Sequence, residues 1–134
     1  MPVILIDKNI EGQGTHIWLR MQSAPWSELT KVLDVIIRTF SEVGLEDSAS
    51  DDEVWRFCQA RGHYLLTSNR NLDSEESLEA TIRREGTSSS LPVFTIPLPD
   101  RVYERAHVDR VIEKLFDYIL NADNIAGVGR LYLP

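Results

Sequence analysis

Three short segments rich in acids and amides carry the residue types best suited to chemistry in this sequence. In the first, Asp7 directly follows the apolar run VILI and precedes Lys8 and Asn9. The second is the acidic run at positions 51–53, and the third follows the segment HYLLT. Oxygen-rich clusters of Asp, Glu and Asn are the ligands that Mg²⁺ and Mn²⁺ prefer. Such an ion can activate water and neutralise a phosphodiester transition state, so these segments predict a nuclease-like site.

These three segments are expected to meet at one edge of a sheet. Asp7 and Asn69 each follow a short apolar segment that is typical of a buried strand, and the acidic run opens a helix. Ligands of open parallel sheets bind beyond the carboxyl ends of the strands. The acids at 51–53, and also Asp73, have a second interpretation, because acidic side chains cap and stabilise helix N-termini. Asp7 has no structural explanation of comparable strength.

Strand-like and helix-like segments alternate along the chain. Short apolar segments predict strands at residues 3–6, 39–43, 63–67 and 91–96, and a last strand in RLYL near the C-terminus. Apolar residues at helical spacing predict helices over residues 29–37, 50–62, 73–86 and 101–121, and residues 11–14 predict a turn. Ser50 with Glu53, Asp73 with Glu76, and Asp100 are the expected helix caps. This alternation implies βαβ units, so we expect one α/β domain over residues 1–134, with a small, mostly parallel sheet and helices on both faces.

The composition narrows the function classes. The chain has 134 residues and a formal net charge of −7, which argues against a broad basic surface for non-specific binding of nucleic acid. Its single cysteine, Cys58, excludes an intrachain disulfide framework and a Cys-rich zinc site, and it predicts an inert buried thiol in a reducing compartment. The sequence contains no leader-like segment and no apolar run of about 20 residues, so we expect a cytoplasmic protein without a membrane span.

The order of these segments resembles that of the PIN-like ribonucleases, the group that contains the VapC-type toxins of toxin–antitoxin systems. The resemblance rests on Asp7 after the first strand, then on the segments SDDEVWRFCQARG and HYLLTSNRNLD, and it covers about the first two thirds of the chain. It implies a three-layer, Rossmann-like α/β/α fold. It also implies an Mg²⁺- or Mn²⁺-dependent ribonuclease, with RNA as substrate and a cognate antitoxin and a second copy of the chain as partners.

The candidate site residues come from the family pattern and from polar residues that lie beside it in the sequence. The catalytic candidates are Asp7, Asp51, Asp52, Glu53 and Asn69, and the resemblance does not choose among the three consecutive acids. The candidate metal ligands are Asp7, Asp52, Asn69 and Asp73. The binding candidates are Lys8, Asn9, Thr67, Arg70 and Asn71, of which the two basic residues suit phosphate.

The third acidic position departs from the family pattern. The family has the pattern T-x-D-x-D/N, whereas this sequence has the amides Asn69 and Asn71 at the two acidic positions after Thr67. An amide can ligate Mg²⁺ through its carbonyl oxygen, but it brings no charge and so lowers the expected affinity. Two hypotheses therefore stand: a metal-dependent ribonuclease of weakened activity, or a catalytically degenerate PIN-like domain that serves as a binding or assembly module.

Overall fold

A computed structural model describes residues 1–70, 74 and 77–134. Two of the sequence-predicted site residues, Asn71 and Asp73, lie outside these residues. The expected cap formed by Asp73 with Glu76 lies outside them as well. Among the described residues, no helix is long and apolar enough to cross a membrane.

The described strands form one parallel sheet, in the order β2-β1-β3-β4-β5. Their bounds are β1 Val3–Ile6, β2 Ile36–Arg38, β3 His63–Thr67, β4 Val93–Thr95 and β5 Arg130–Tyr132. β1 lies beside β3, with Leu5 opposite Leu65 and Ile6 opposite Leu66. Since all strands run the same way, their carboxyl ends lie along one edge of the sheet, and Asp7 and Thr67 come to neighbouring positions there.

Helices connect the strands and cover both faces of the sheet. The α-helices are α1 Glu11–Met21, α2 Ser27–Leu33, α3 Phe40–Val43, α4 Asp51–Arg61, α5 Leu78–Glu85, α6 Arg105–Leu120 and α7 Ala122–Ile125. Short 3₁₀ helices lie at Lys8–Ile10 and Pro99–Tyr103. The predicted α/β fold, with a small parallel sheet between helical layers, is confirmed.

Two hydrophobic clusters, one on each face of the sheet, hold these layers together. Alternate strand residues such as Ile4 and Leu66 pack with α1 and α6 in the larger cluster. Their neighbours Leu5 and Leu65 pack with α4 and α5 in the smaller cluster. Side chains alternate between the faces of a strand, so Asp7 and Thr67 are directed to the face that α4 covers.

The predicted bounds of α4 are confirmed, but the predicted cap is wrong: Ser50 makes no side-chain capping hydrogen bond, because its Oγ donates to the carboxylates of Asp52 and Glu53. The helix begins after Ser50 and ends before Gly62, whose φ of +67° is the left-handed conformation that glycine adopts most easily. α5 begins later than predicted, at Leu78, because Ser77 caps it by accepting a hydrogen bond from the backbone nitrogen of Ala80 at 3.3 Å. The last strand, β5, lies within the predicted RLYL segment.

Two predictions of secondary structure are wrong, one because of packing and one because of a helix cap. Residues 11–14 begin α1 instead of forming a turn. A Cβ at position 14 would lie only 2.5 Å from the side chain of Ile6. Because Gly14 has no side chain, the helix can pack closely against β1. Residues 40–43 are helical instead of extended, since Thr39, the N-cap, forms a capping box with Glu42 that starts α3.

Two helix boundaries also differ from the prediction. Residues 36 and 37 belong to β2, because Asp34 adopts the left-handed conformation at φ +54° and ends α2 before them. α6 begins at Arg105 instead of residue 101, since Pro99 starts a separate 3₁₀ helix and Asp100 lies within that element. Asp100 therefore does not cap α6.

Candidate functional site

Asp7 lies at the carboxyl end of β1, where it is held by the neighbouring strand. Its backbone nitrogen donates to the carbonyl oxygen of Leu66 at 2.9 Å, which extends the β1–β3 pairing by one residue. Its Oδ2 atom accepts a hydrogen bond of 2.6 Å from Oγ1 of the fully buried Thr67. The threonine, predicted as a binding residue, therefore orients the carboxylate of Asp7.

Asn69 brings the third segment to the same edge. Its backbone nitrogen donates to Oγ1 of Thr67 at 2.9 Å, and its side-chain Nδ2 donates to Oδ2 of Asp51 at 2.8 Å. Asp51 is the first residue of α4. The end of β1, the end of β3 and the start of α4 thus contribute Asp7, Asn69 and Asp51 to one connected group, which we call the carboxyl-edge cluster.

The three consecutive acids at the start of α4 have different surroundings. Only Asp51 bonds to Asn69. Asp52 accepts hydrogen bonds from Oγ of Ser50 and, at 3.1 Å, from Nη1 of Arg56. Glu53 is exposed and accepts a hydrogen bond of 2.8 Å from Ser50. Successive helical residues point about 100° apart, so a single acid of the three can face the sheet edge. The structure selects Asp51 as the acid that accompanies Asp7.

The environment of Asp7 disfavours its charged form. Burial raises the pKa of this carboxyl, and the negative charge of Asp51 raises it further, while the hydrogen bond from Thr67 acts in the opposite direction. Burial also raises the pKa of the Cys58 thiol to about 12, with a smaller contribution from Asp7. Cys58 is therefore the inert buried thiol that the sequence predicts. The unfavourable charge interaction in this region is the one between the carboxylates of Asp7 and Asp51.

Asp52 shows the contrasting behaviour. The hydrogen bond from Ser50 lowers the pKa of its carboxyl, and the nearby Arg56 lowers it further. Arg56 in turn bonds to Glu85 of α5, with its Nη2 atom 2.7 Å from Oε2. Asp52 therefore belongs to an ion-pair network between α4 and α5, and this network accounts for it without a role at the sheet edge.

Arg130 is a component of the site that the sequence analysis did not identify. Its side chain is only 7% exposed, and its Nη1 atom donates to the backbone carbonyl of Asn69 at 2.8 Å and to Oγ1 of Thr95 at 2.6 Å. Its Nη2 atom lies 3.5 Å from Oε2 of Glu79, and no described group accepts a well-aligned hydrogen bond from it. Arg130, the first residue of β5, therefore holds the backbone of the segment that follows β3. Nothing in the segment RLYL marks its arginine for this role.

The remaining binding candidates lie around the carboxyl-edge cluster. The backbone N–H groups of Lys8 and Asn9 donate hydrogen bonds to the carboxylate of Asp7. Lys8 forms ion pairs with Glu11 and Asp47, both at 3.3 Å, and Asn9 is exposed. Arg70 is also exposed. The structure thus leaves these residues at the rim of the site.

The cluster offers two carboxylates and one amide, all of them oxygen donors that suit Mg²⁺ or Mn²⁺. Within the part of the chain that the structure describes, no group of three or more His, Cys, Asp or Glu side chains is arranged to hold a metal ion. These ligands therefore carry less negative charge than the ligands of a site built from three acids. No protein-family model, curated protein or solved structure matches this chain.

Proposed function

We propose that this chain is a PIN-like ribonuclease domain of weakened activity, which binds one Mg²⁺ or Mn²⁺ ion at the carboxyl-edge cluster. The observation that carries the proposal is the convergence of Asp7, Asp51 and Asn69 from three separate elements. Convergence of polar groups at the carboxyl edge of a parallel sheet is the usual origin of a ligand site in this architecture.

The donor chemistry of the cluster fits a single divalent cation. Burial and the charge of Asp51 both raise the pKa of Asp7, so two partly buried carboxylates repel each other at this edge. A bound cation relieves such repulsion, because it is attracted by both carboxylates. Asp7 and Asp51 would hold the ion, and Asn69 would contribute its amide oxygen. When bound, such an ion supplies an activated water molecule and neutralises charge on the phosphodiester.

The protein residues around the cluster would keep these donors in place. Thr67 orients Asp7 through the hydrogen bond of 2.6 Å, and Asn69 orients Asp51 through that of 2.8 Å. Arg130 holds the backbone of Asn69. Lys8 and Arg70, at the rim, are suitable contacts for the phosphates of an RNA substrate.

Weakened activity follows from the uncharged third position. A carboxylate at position 69 would add a full negative charge to the cluster, whereas the amide adds none and uses its Nδ2 group to bind Asp51. A divalent ion would have to compete with that hydrogen bond. We also propose, on the family resemblance, a toxin–antitoxin role with an antitoxin as partner, and an RNA substrate in the cytoplasm.

A second candidate function is a catalytically degenerate PIN-like domain that binds or assembles without hydrolysis. The specific observation in its favour is that the amide of Asn69 already satisfies Asp51 within the protein. Arg130, a fixed positive charge, likewise bonds to the backbone of Asn69. These contacts stabilise the cluster without a cation.

Matched variants in an RNA-cleavage assay separate the two functions. The full chain is incubated with single-stranded RNA and either Mn²⁺ or EDTA, and the Asp51→Asn and Asp52→Asn variants are compared. The two acids are adjacent in α4, but only Asp51 bonds to Asn69. Weak, Mn²⁺-dependent cleavage that is lost in Asp51→Asn and kept in Asp52→Asn supports the ribonuclease. Absence of Mn²⁺-dependent cleavage in the wild-type chain favours the binding module.

A further inference from the structure

A partly enclosed cavity of about 300 Å³ lies between α4, the end of α5 and the loops that lead into β4 and β5. These loops enter the two strands at their amino ends, so the cavity lies towards the edge of the sheet opposite the carboxyl-edge cluster. None of the residues that line it belongs to the candidate site. The function proposed above therefore makes no use of this cavity.

The walls of the cavity combine apolar side chains with small polar groups. Trp55, Ile82 and Leu91 supply most of the apolar part. The polar part comes from hydroxyl and backbone groups of two short segments, within residues 86–90 and 127–129. Among the described residues that line the cavity, none is charged. Apolar walls with a few polar groups are typical of a site for a small molecule.

Trp55 brings an unused hydrogen-bond donor to this cavity. The residue is only 4% exposed, and its indole N–H donates to no group of the described residues. A buried indole N–H usually has an acceptor, as Trp26 has in Oδ1 of Asp109 at 2.9 Å. The walls thus present a donor to which a ligand can supply the acceptor.

The indole nitrogen of Trp55 can be reached from the cavity. In the described part of the chain, the side-chain atoms that are fully enclosed without a partner are Nδ1 of His63 and Nη2 of Arg130. Nε1 of Trp55 has no partner and is not one of them, so it retains some accessible surface. Since Trp55 is otherwise buried and lines the cavity, that surface lies on the cavity side.

Hydrogen bonds fix the two loops that form the polar walls. The backbone nitrogen of Gly127 donates to the carbonyl oxygen of Ser90 at 2.8 Å, and that of Val93 donates to Gly129 at 2.8 Å. A Cβ on Gly127, whose φ is +81°, would lie 2.8 Å from the carbonyl oxygen of Ser88. The loops therefore pack backbone against backbone, and a ligand meets walls that are already ordered, which lowers the entropic cost of binding.

Size and charge define the class of ligand that these walls fit. The cavity has the volume of about ten water molecules in the liquid, which suits a compound of about ten non-hydrogen atoms. Uncharged walls disfavour phosphates and carboxylates, since a charged group would lose water without gaining a partner. The apolar side chains suit the faces of a flat ring, and the indole N–H requires an acceptor at its edge. A nucleobase has each of these properties.

We propose that this cavity binds a free, uncharged nucleobase, with an acceptor atom of the base at the indole N–H of Trp55. The hydroxyl and backbone groups of residues 86–90 are suited to the other polar atoms of the base. The site is independent of the proposed ribonuclease activity, because it shares no residue with the carboxyl-edge cluster.

The indole resonances of the full ¹⁵N-labelled chain test the proposal without any metal ion. The chain has three tryptophans, and Trp55→Phe identifies the signal of Trp55 by its loss. Adenine is added up to about 5 mM, since a ligand of this size is expected to have a dissociation constant on the order of 0.1–1 mM. The signal of Trp55 should shift and saturate, while that of Trp26, already bonded to Asp109, should not move.

A matched pair of variants tests the location of the bound base. Ser88 lines the cavity and is exposed, so Ser88→Phe can place a ring in the cavity without displacing a buried side chain. Ser89 is the next residue and is also exposed, but it does not line the cavity. Adenine should no longer shift the Trp55 signal in Ser88→Phe and should still shift it in Ser89→Phe. Thermal melting verifies that both variants are folded.

Adenosine monophosphate distinguishes a free base from a nucleotide or an RNA strand. It should bind at least about tenfold more weakly than adenine, because no cation lines the cavity. Equal or tighter binding of the monophosphate would refute a free base as the ligand. A Trp55 signal that does not move with adenine would overturn the proposal, and so would an equal shift in the wild type and Ser88→Phe.

Discussion

Replacing Asn69 by Asp probes the carboxyl-edge cluster at its least family-like position while changing almost no volume. In the wild type, Nδ2 of Asn69 donates to Oδ2 of Asp51 at 2.8 Å. In Asn69→Asp this donor becomes a carboxylate oxygen that faces a second carboxylate. The folded chain then loses a hydrogen bond and gains a repulsion. With Mn²⁺ present, however, the added charge attracts the ion.

The size of the effect follows from these two contributions. A hydrogen bond to a charged group contributes about 1.5–3 kcal/mol, so Asn69→Ala, which removes the bond to Asp51, should lower the unfolding free energy by about 2 kcal/mol. Two carboxylates about 4 Å apart repel by about 4 kcal/mol at an effective dielectric constant of 20, and rotation of the side chains towards solvent reduces this. We expect Asn69→Asp to be about 3 kcal/mol less stable than the wild type without metal.

The pH dependence of this loss has a defined sign. Repulsion from Asp51 raises the pKa of the introduced carboxyl in the folded state above its value in the unfolded chain. The part of the loss that comes from repulsion therefore grows as the pH rises above about 4, and it disappears at lower pH, where the introduced carboxyl is protonated in both the folded and the unfolded chain.

Urea unfolding of the wild type, Asn69→Ala and Asn69→Asp, each with Mn²⁺ and with EDTA, measures both parts. A ligand at a hundred times its dissociation constant stabilises the folded chain by about 2.7 kcal/mol, so tighter binding by Asn69→Asp appears as a larger gain with Mn²⁺. The alanine variant should show no such increase. An equal response to Mn²⁺ in all three chains would refute the reasoning, because position 69 would then not face a cation site.

Three further predictions concern stability. Leu115→Ala should lower the unfolding free energy by about 2–5 kcal/mol, because Leu115 lies on the fully buried face of α6. A loss under about 1 kcal/mol in urea would contradict the packing of that helix. Asp7→Asn should be more stable than the wild type at neutral pH but not below pH about 4, since the raised pKa of Asp7 means that its ionisation costs stability as the pH rises. Thermal melting of both chains from pH 3 to 7 measures that gain, and equal pH profiles would argue against it. Arg130→Met should lower the free energy of unfolding in urea by about 3 kcal/mol, because it leaves Glu79 and the carbonyl of Asn69 without their partner. Arg130→Lys should lower it less. Equal stability of the wild type and Arg130→Met would contradict the role of Arg130 in holding Asn69.

The edge of the sheet that carries the site could be predicted from the sequence alone. The segments VILI and HYLLT are short, apolar and followed by polar residues, and they form adjacent parallel strands. The positions of Asp7 and Asn69 at the carboxyl ends of these strands follow from this arrangement. The bounds of α4 were also predictable from Ser50 and Gly62, although Ser50 donates to Asp52 and Glu53 instead of forming the expected capping box.

The remainder of the site depends on contacts between distant segments. The choice of Asp51 over Asp52 depends on the rotation of α4 about its axis, which the sheet sets and the sequence SDDE does not. Arg130 reaches Asn69 from a strand 61 residues away. The wrong prediction at Gly14 also depends on a distant contact. Its missing side chain leaves room for Ile6 of β1, and it does not form a turn.

The location of a bound cation tests the central claim most directly. Mn²⁺ is added at substoichiometric amounts to ¹⁵N-labelled protein, and the paramagnetic broadening of each backbone amide is measured, with Asp51→Asn as the matched control. If the cation binds at the carboxyl-edge cluster, the amides of Asp7, Asp51 and Asn69 broaden first in the wild type, and this broadening is lost in Asp51→Asn. Broadening that begins instead at the surface acids Asp52 and Glu85, or that is unchanged in Asp51→Asn, would contradict a cation site at the carboxyl-edge cluster.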